Sequence, residues 1–241
     1  MAIKKVNYQN QNFDISYEIV NPSKEKVLVF LHGWGSNKEI MKQAFGDEFK
    51  NYKHIYIDMP GFGKSSNDIV LTTNDYAKII NEFLQLFTIS SSLLTIFGHS
   101  FGGKVATLLN PKHLVLLSTA GILEPKPLKV KLKIKLAKIL GILGLRGLTK
   151  AFRSDDVNQM AQNMYETFKN VVDEDFSESF KIHKGDTLIF WGQKDTATTL
   201  GSGKKINELI EGSEFYDFDG DHYFFLKHHK KIGEICEHRF T

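Results

Sequence analysis

Apolar and polar positions follow two rhythms along this chain. Short apolar runs at 13–19, 26–31, 54–58, 93–97, 113–117, 187–191 and 214–218 have the length and the bounding turns of strands. Between them lie helical stretches at 38–49, 74–87, 104–109 and 203–210. The clearest is 74–87, where Ile79, Ile80, Phe83, Leu84 and Phe87 recur at helical spacing. Strands alternating with helices predict an α/β fold: a mostly parallel sheet with helices on both faces. In such sheets the chemistry gathers beyond the carboxyl ends of the strands.

From Gly121 to about Lys184 the alternation stops. This stretch opens on Glu124-Pro125-Lys126-Pro127 and continues as LKVKLKIKLAKILGILGLRGLTKAF, basic first and acidic from Asp155 to Glu178. The break predicts a helical lid at 122–184, inserted between two parts of one core, 1–121 and 185–241. As a lid helix, LKVKLKIKLAKIL would bury Leu128, Leu132, Leu136, Ile139 and Leu143 and turn Lys131, Lys135 and Lys138 to solvent. The same lysines could instead lie on anionic headgroups or face an acidic substrate. Lys129 and Lys133 interrupt the apolar side and blur the polar face, so the lid reading is preferred.

Composition narrows the class. A chain of 241 residues can hold one substantial α/β domain with an insertion, or two small domains. With 41% hydrophobic and 24% charged residues it reads as an ordinary globular protein. A net charge of +3 is too small to argue for a nucleic-acid partner, and no aromatic-basic RNA motif occurs. One cysteine, Cys236, leaves no internal disulfide and suits a reducing compartment. The opening MAIKKVNYQNQNFD has lysines but no apolar stretch behind them, and no run approaches the roughly 18 apolar residues of a membrane span. The expectation is a cytoplasmic chain without stable membrane insertion. Its oligomeric state is left open.

The chemistry concentrates at Gly98-His99-Ser100-Phe101-Gly102, a G-x-S-x-G pattern between a strand and a helix. In that setting it is a nucleophile elbow: a tight turn lifts the serine above the sheet. A serine hydroxyl is a poor nucleophile at neutral pH and needs a base, with a carboxylate to orient it. In sheets of this kind the chain order is Ser, acid, His. Asp195 follows the strand 187–191 and His222 follows the strand 214–218, so both stand at carboxyl ends. Asp186, Asp217, Asp219 and Asp221 are nearby alternatives for the acid, although 219 and 221 flank His222 too closely to reach its far ring nitrogen easily.

Other residues draw plainer readings. Among nine histidines, His32 is expected to organise a loop, His99 to point inward beside the elbow, and His228 and His229 to be solvated. No HExxH-like spacing exists, so no metal and no cofactor are expected. Gly63-Lys64-Ser65 fails as a phosphate loop because Asp58 stands where glycine is needed. Gly203-Lys204 fails the same test at Thr198 and Lys205.

Taken in order, HGWG, DMPGFGKS, GHSFGG, the WGQKD turn and the GDH turn resemble the α/β-hydrolase fold superfamily over nearly the whole length outside the lid. The resemblance implies the α/β-hydrolase fold, with Ser100 as nucleophile, His222 as general base and then acid, and Asp195 as orienting carboxylate. It also implies an oxyanion hole made by the backbone N–H groups of Phe101 and Trp34, and a loop-shaping role for 58–65. The expected activity is hydrolysis of a small carboxylic ester, with a small-molecule carbonyl compound as substrate. The motifs also resemble carbon–carbon bond hydrolases of the 2-hydroxy-6-oxo-dienoate type. Those typically carry Asn before the nucleophile, Trp after the histidine and an Arg in the lid. Here His99 and Tyr223 stand at the first two positions, and Arg146 and Arg153 sit in no recognisable motif. Perhydrolase activity uses the same triad. From another class, the chain could be a catalytically silent binding module on this fold. Serine at position 100 argues against relatives that use aspartate there.

Overall fold

The computed structural model describes residues 1–87, 89–90, 93–124 and 160–240. The chain opens on a hairpin whose first strand the apolar pattern does not predict. Strand β1, Ala2–Tyr8, buries only Val6, so it carries no legible alternation. It is held instead by antiparallel pairing with β2, Gln11–Val20. Gln9 and Asn10 make the turn with φ of 51° and 61°, the doubly left-handed pair that suits the twist of a two-residue hairpin.

The remaining strands are β3 (Val27–Leu31), β4 (Lys53–Ile57), β5 (Leu94–His99), β6 (His113–Leu117), β7 (Asp186–Gly192) and β8 (Glu214–Phe218). Among the described residues they form one eight-stranded sheet in the order β1-β2-β4-β3-β5-β6-β7-β8. Pairing is antiparallel from β1 to β4 and parallel from there on. All five residues of β3 are buried, as expected of a strand covered on both faces.

Alternate residues of each strand feed two cores. Val29, Ile57, Ile96, Leu116 and Ile189 point to one face, covered by α2 (Thr73–Gln85), α3 (Phe101–Leu109) and α6 (Leu200–Leu209). Phe30, Tyr56, Phe97, Val115 and Phe190 point to the other, covered by α1 (Lys38–Phe45) and α7 (Phe225–Phe240). This is the predicted architecture.

Several boundaries move for local reasons. Helix α1 stops four residues short of its expected end because Gly46 caps it, donating to Lys42 O at 2.7 Å. Helix α2 starts where Thr72 and Asp75 form a reciprocal capping box. Helix α3 begins directly at Phe101, with no connecting loop after the elbow. Helix α7 leaves His228 and His229 partly exposed, as expected, and gives each a partner: His229 Nδ1 lies 2.8 Å from Glu48, and His228 Nε2 donates to Asp219 O at 2.8 Å.

Within the expected insertion, α4 (Gln162–Val171) and α5 (Ser177–Ile182) are helical and lie between β6 and β7. The LKVKLKIKLAKIL stretch, with its three readings, lies outside the described residues. No helix among the described residues is long and apolar enough to cross a membrane.

Candidate active site

The loops after β3, β5, β6, β7 and β8 all leave the sheet at its carboxyl edge, because these strands run parallel. Every expected site residue therefore arrives at one rim. Leu31 pairs with Gly98 and Leu117 with His99, so the loop beginning at His32 and the loop beginning at Ser118 flank Ser100 on either side.

Ser100 occupies φ 51°, ψ −117°, a conformation that L-residues seldom adopt. Neighbours hold it there. Its N–H donates to Leu117 O at 3.1 Å, and its carbonyl accepts from Gly103 N–H at 3.0 Å and Ala120 N–H at 3.2 Å. The turn is so sharp that a Cβ on Gly98 would stand 2.5 Å from Gly103 Cα, and one on Gly102 would stand 2.5 Å from Leu31 and His32 carbonyl oxygens. Glycine is required at both positions by these close approaches.

Asp195 and His222 meet at the same rim. His222 Nδ1 lies 2.7 Å from Asp195 Oδ2, and the aspartate side chain is fully buried. Asp195 Oδ1 accepts from Ala197 N–H at 2.8 Å and Thr198 N–H at 3.0 Å. The Thr198 hydroxyl, 2.9 Å from Oδ2 and 3.1 Å from Ser118 O, braces the other side. Burial alone would raise this carboxyl's pKa. The hydrogen bonds from His222 and the Thr198 backbone overcome it and hold the group at about 2. Asp195 is thus a charged acceptor matched to an imidazole N–H.

The alternative carboxylates are engaged elsewhere. Asp186 accepts from Arg239, Asp217 from Gln193, Asp219 from Lys194, and Asp221 caps the N–H of Tyr223. Among the described residues Ser100 Oγ makes no hydrogen bond to the His222 ring. Such contacts often close only when a substrate is present.

The HGWG loop packs directly on the elbow. A Cβ on Gly33 would lie 3.1 Å from Ser100 Cβ, and the Trp34 ring stands 5.5 Å from the Phe101 ring, edge to face. Phe62 and Phe168 complete an aromatic cluster around Trp34, at 4.8 and 5.4 Å. Phe168 belongs to α4, so part of the expected insertion lies against Trp34 of the HGWG loop. His32 organises this loop as expected: its Nδ1–H donates to Gly33 O at 2.8 Å, and its Nε2 accepts from Met59 N–H at 3.0 Å. Burial lowers its pKa to about 4, so it is a neutral spacer.

Asp58 shapes the neighbouring loop without facing the serine. It pairs with the buried Lys38 ammonium at 2.7 Å and accepts from Lys38 N–H at 2.8 Å and Lys64 N–H at 3.0 Å. Ser65 Oγ closes the loop on the Asp58 carbonyl at 2.6 Å.

Two contributors escape a motif reading. Thr198 is foreshadowed by the Asp-x-x-Thr spacing, in which an aspartate accepts from amides two and three residues on. Lys104 gives no such signal. It is buried on α3, donates to Val171 O and lies 2.8 Å from Glu174 Oε2, with its ammonium 4.9 Å from the Phe176 ring. Glu174 also accepts from Thr73. One lysine thereby ties the elbow helix to the end of α4.

Known proteins share this fold. The family described as alpha/beta hydrolase fold matches over residues 26–131. A biotin biosynthesis bifunctional protein from Teredinibacter turnerae is 34% identical over 123 residues, 48% of this chain and 20% of that protein. A 2-succinyl-6-hydroxy-2,4-cyclohexadiene-1-carboxylate synthase from Escherichia coli O157:H7 is 36% identical over 81 residues, 34% of this chain and 31% of the synthase. The matches thus span between a fifth and a third of those curated relatives. An esterase from Exiguobacterium antarcticum superposes with a TM-score of 0.75 at 23% identity, covering 98% of each chain, which establishes likeness of fold.

Proposed function

We propose that this chain, whose residues 26–131 match the alpha/beta hydrolase fold family, is a serine hydrolase acting on a small carboxylic ester through an acyl-enzyme. One observation carries the reading. A charged, buried carboxylate orients His222 at the rim where Ser100 is held in a strained elbow.

In this mechanism His222 Nε2 removes the Ser100 proton as Oγ attacks the ester carbonyl. Asp195, accepting from Nδ1, keeps the ring in the tautomer whose Nε2 is free and stabilises the imidazolium that forms. The developing oxyanion is held by the N–H groups of Phe101 and Trp34. Phe101 opens α3, where the first amides of a helix have no partner within it. Each such donor is worth roughly 10²–10³ in rate. His222 then returns the proton to the departing alcohol. A water molecule, deprotonated by the same ring, releases the acid and restores Ser100.

Phe62, Phe101 and Phe168 pack around Trp34, so the loop expected to hold the oxyanion has an apolar backing, which favours an apolar acyl group. Residues 122–184 act as the lid in this reading, and Phe168 already rests against Trp34.

A fluorophosphonate probe tests the proposal. Ser100 should be labelled, and His222→Ala should abolish labelling. Absence of labelling on folded protein overturns it in favour of a silent binding module. Turnover of p-nitrophenyl acetate against a coloured dienoate then separates ester from carbon–carbon cleavage.

A further inference from the structure

His99 precedes the serine and takes no part in the mechanism above, yet it touches both the HGWG loop and the residue that carries the base. Its ring is buried, and its Nε2 lies 3.0 Å from the carbonyl oxygen of His222. A carbonyl only accepts, so Nε2 carries the proton and Nδ1 is bare. On that side Nδ1 faces Gly33: a Cβ built there would stand 3.0 Å away. On the opposite side the ring packs on His222 at 4.6 Å, Tyr223 at 5.3 Å and Phe225 at 4.8 Å. The imidazole is therefore a wedge between the loop after β3 and the loop after β8, mounted on the backbone that carries the nucleophile.

We propose that His99 is a positioning residue: by donating Nε2–H to the His222 carbonyl, it sets how far the base stands from Ser100. The inference rests on the serine-hydrolase reading above. Burial, with the His222 ring beside it, lowers the His99 pKa to about 3, so its single N–H keeps one direction across the working pH range. The hydrogen bond grips the backbone of the base residue, so its loss moves the whole ring. Displacing a reacting group by about 1 Å costs on the order of 10²-fold in rate.

Side-chain reach supplies the test. Gln places an amide N–H near the position of imidazole Nε2. Asn is too short to reach it, and Met fills the space without a donor. In the full chain, H99M and H99N should lose roughly ten- to a hundredfold in kcat on p-nitrophenyl acetate and in fluorophosphonate labelling rate. KM should stay within about twofold, and H99Q should recover most of the loss, because the donor and not the binding pocket is being altered. Thermal melts verify folding, and H99N carries the comparison if H99M does not fold. Equal rates in all variants overturn the inference, as does an H99Q variant as slow as H99M. Failure of the wild type to label would sink the hydrolase reading instead. In that case the His222 Nδ1 proton resonance decides: it should be broadened or shifted in H99M and kept in H99Q, and an unchanged signal in H99M overturns the wedge.

Discussion

His222 Nδ1 and Asp195 Oδ2 are joined across 2.7 Å, which links the loop after β8 to the loop after β7. The same aspartate takes two backbone N–H groups from its own loop. Asp195→Asn keeps the shape and removes the charge. It should lower kcat by roughly 10⁴-fold, because the ring loses both its tautomer preference and its counter-charge. Esterase assays of the folded variant would show this, and a loss under tenfold would reject Asp195 as the orienting group.

The same shift has a consequence for stability. In the folded protein the Asp195 carboxyl is held at about 2, below its ordinary value of 3.8. A depressed folded-state pKa contributes stability that is present above the unfolded value and lost as pH falls through the folded one. The stability gap between wild type and Asp195→Asn, read from urea midpoints, should therefore shrink between about pH 4 and pH 2. A gap that stays constant over that window would contradict the assignment.

Ser100 trades stability for geometry. Its positive φ imposes strain that a glycine would not feel. Relief of the strain outweighs the extra freedom glycine gains in the unfolded chain, so Ser100→Gly should be more stable by roughly 1 kcal/mol while losing all labelling. A lower melting temperature for the variant would show that the elbow is unstrained.

Lys38 and Asp58 form a buried ion pair whose two side chains are almost wholly shielded from solvent. Burial opposes the Asp58 charge, and the Lys38 backbone N–H and ammonium overcome it, lowering its pKa. Lys38→Met should cost about 3–5 kcal/mol by stranding the carboxylate, and adding Asp58→Leu should restore a large part of it. Urea unfolding of the single and double variants checks this. Additive losses would refute the coupling.

Lys104 anchors α4 through the Val171 carbonyl and Glu174. In Lys104→Met, amide hydrogen exchange should accelerate across Gln162–Val171, while β3 and β5 stay protected. Uniform acceleration would mean that the lysine supports the whole core rather than this junction.

The residues that are legible in the sequence share one property: their chemistry is local. Gly98, Ser100 and Gly102 lie within five residues, and the turn they make depends on backbone contacts that any such strand-to-helix junction imposes. Asp195 was harder to single out, because five aspartates lie within reach of the turns around His222 in the sequence. Pairings with Arg239, Gln193 and Lys194 remove three of them, and the turn at Tyr223 takes Asp221. Strand β1 was illegible since one buried residue makes no pattern. The partner of His229, Glu48, is illegible because it lies 181 residues away in the chain.

Strand and helix periodicity, with the order of the turn motifs, is enough to specify a parallel sheet and to place a serine, an aspartate and a histidine at its carboxyl edge. Those features follow from short-range sterics and from burial on two faces, which neighbouring residues encode. Tertiary structure alone decided which carboxylate reaches His222, that Lys104 is buried against α4, and that His99 is wedged between two loops. Each of these depends on separations of 27, 70 and 123 residues being closed by the packing of the sheet, and no local pattern records such a closure.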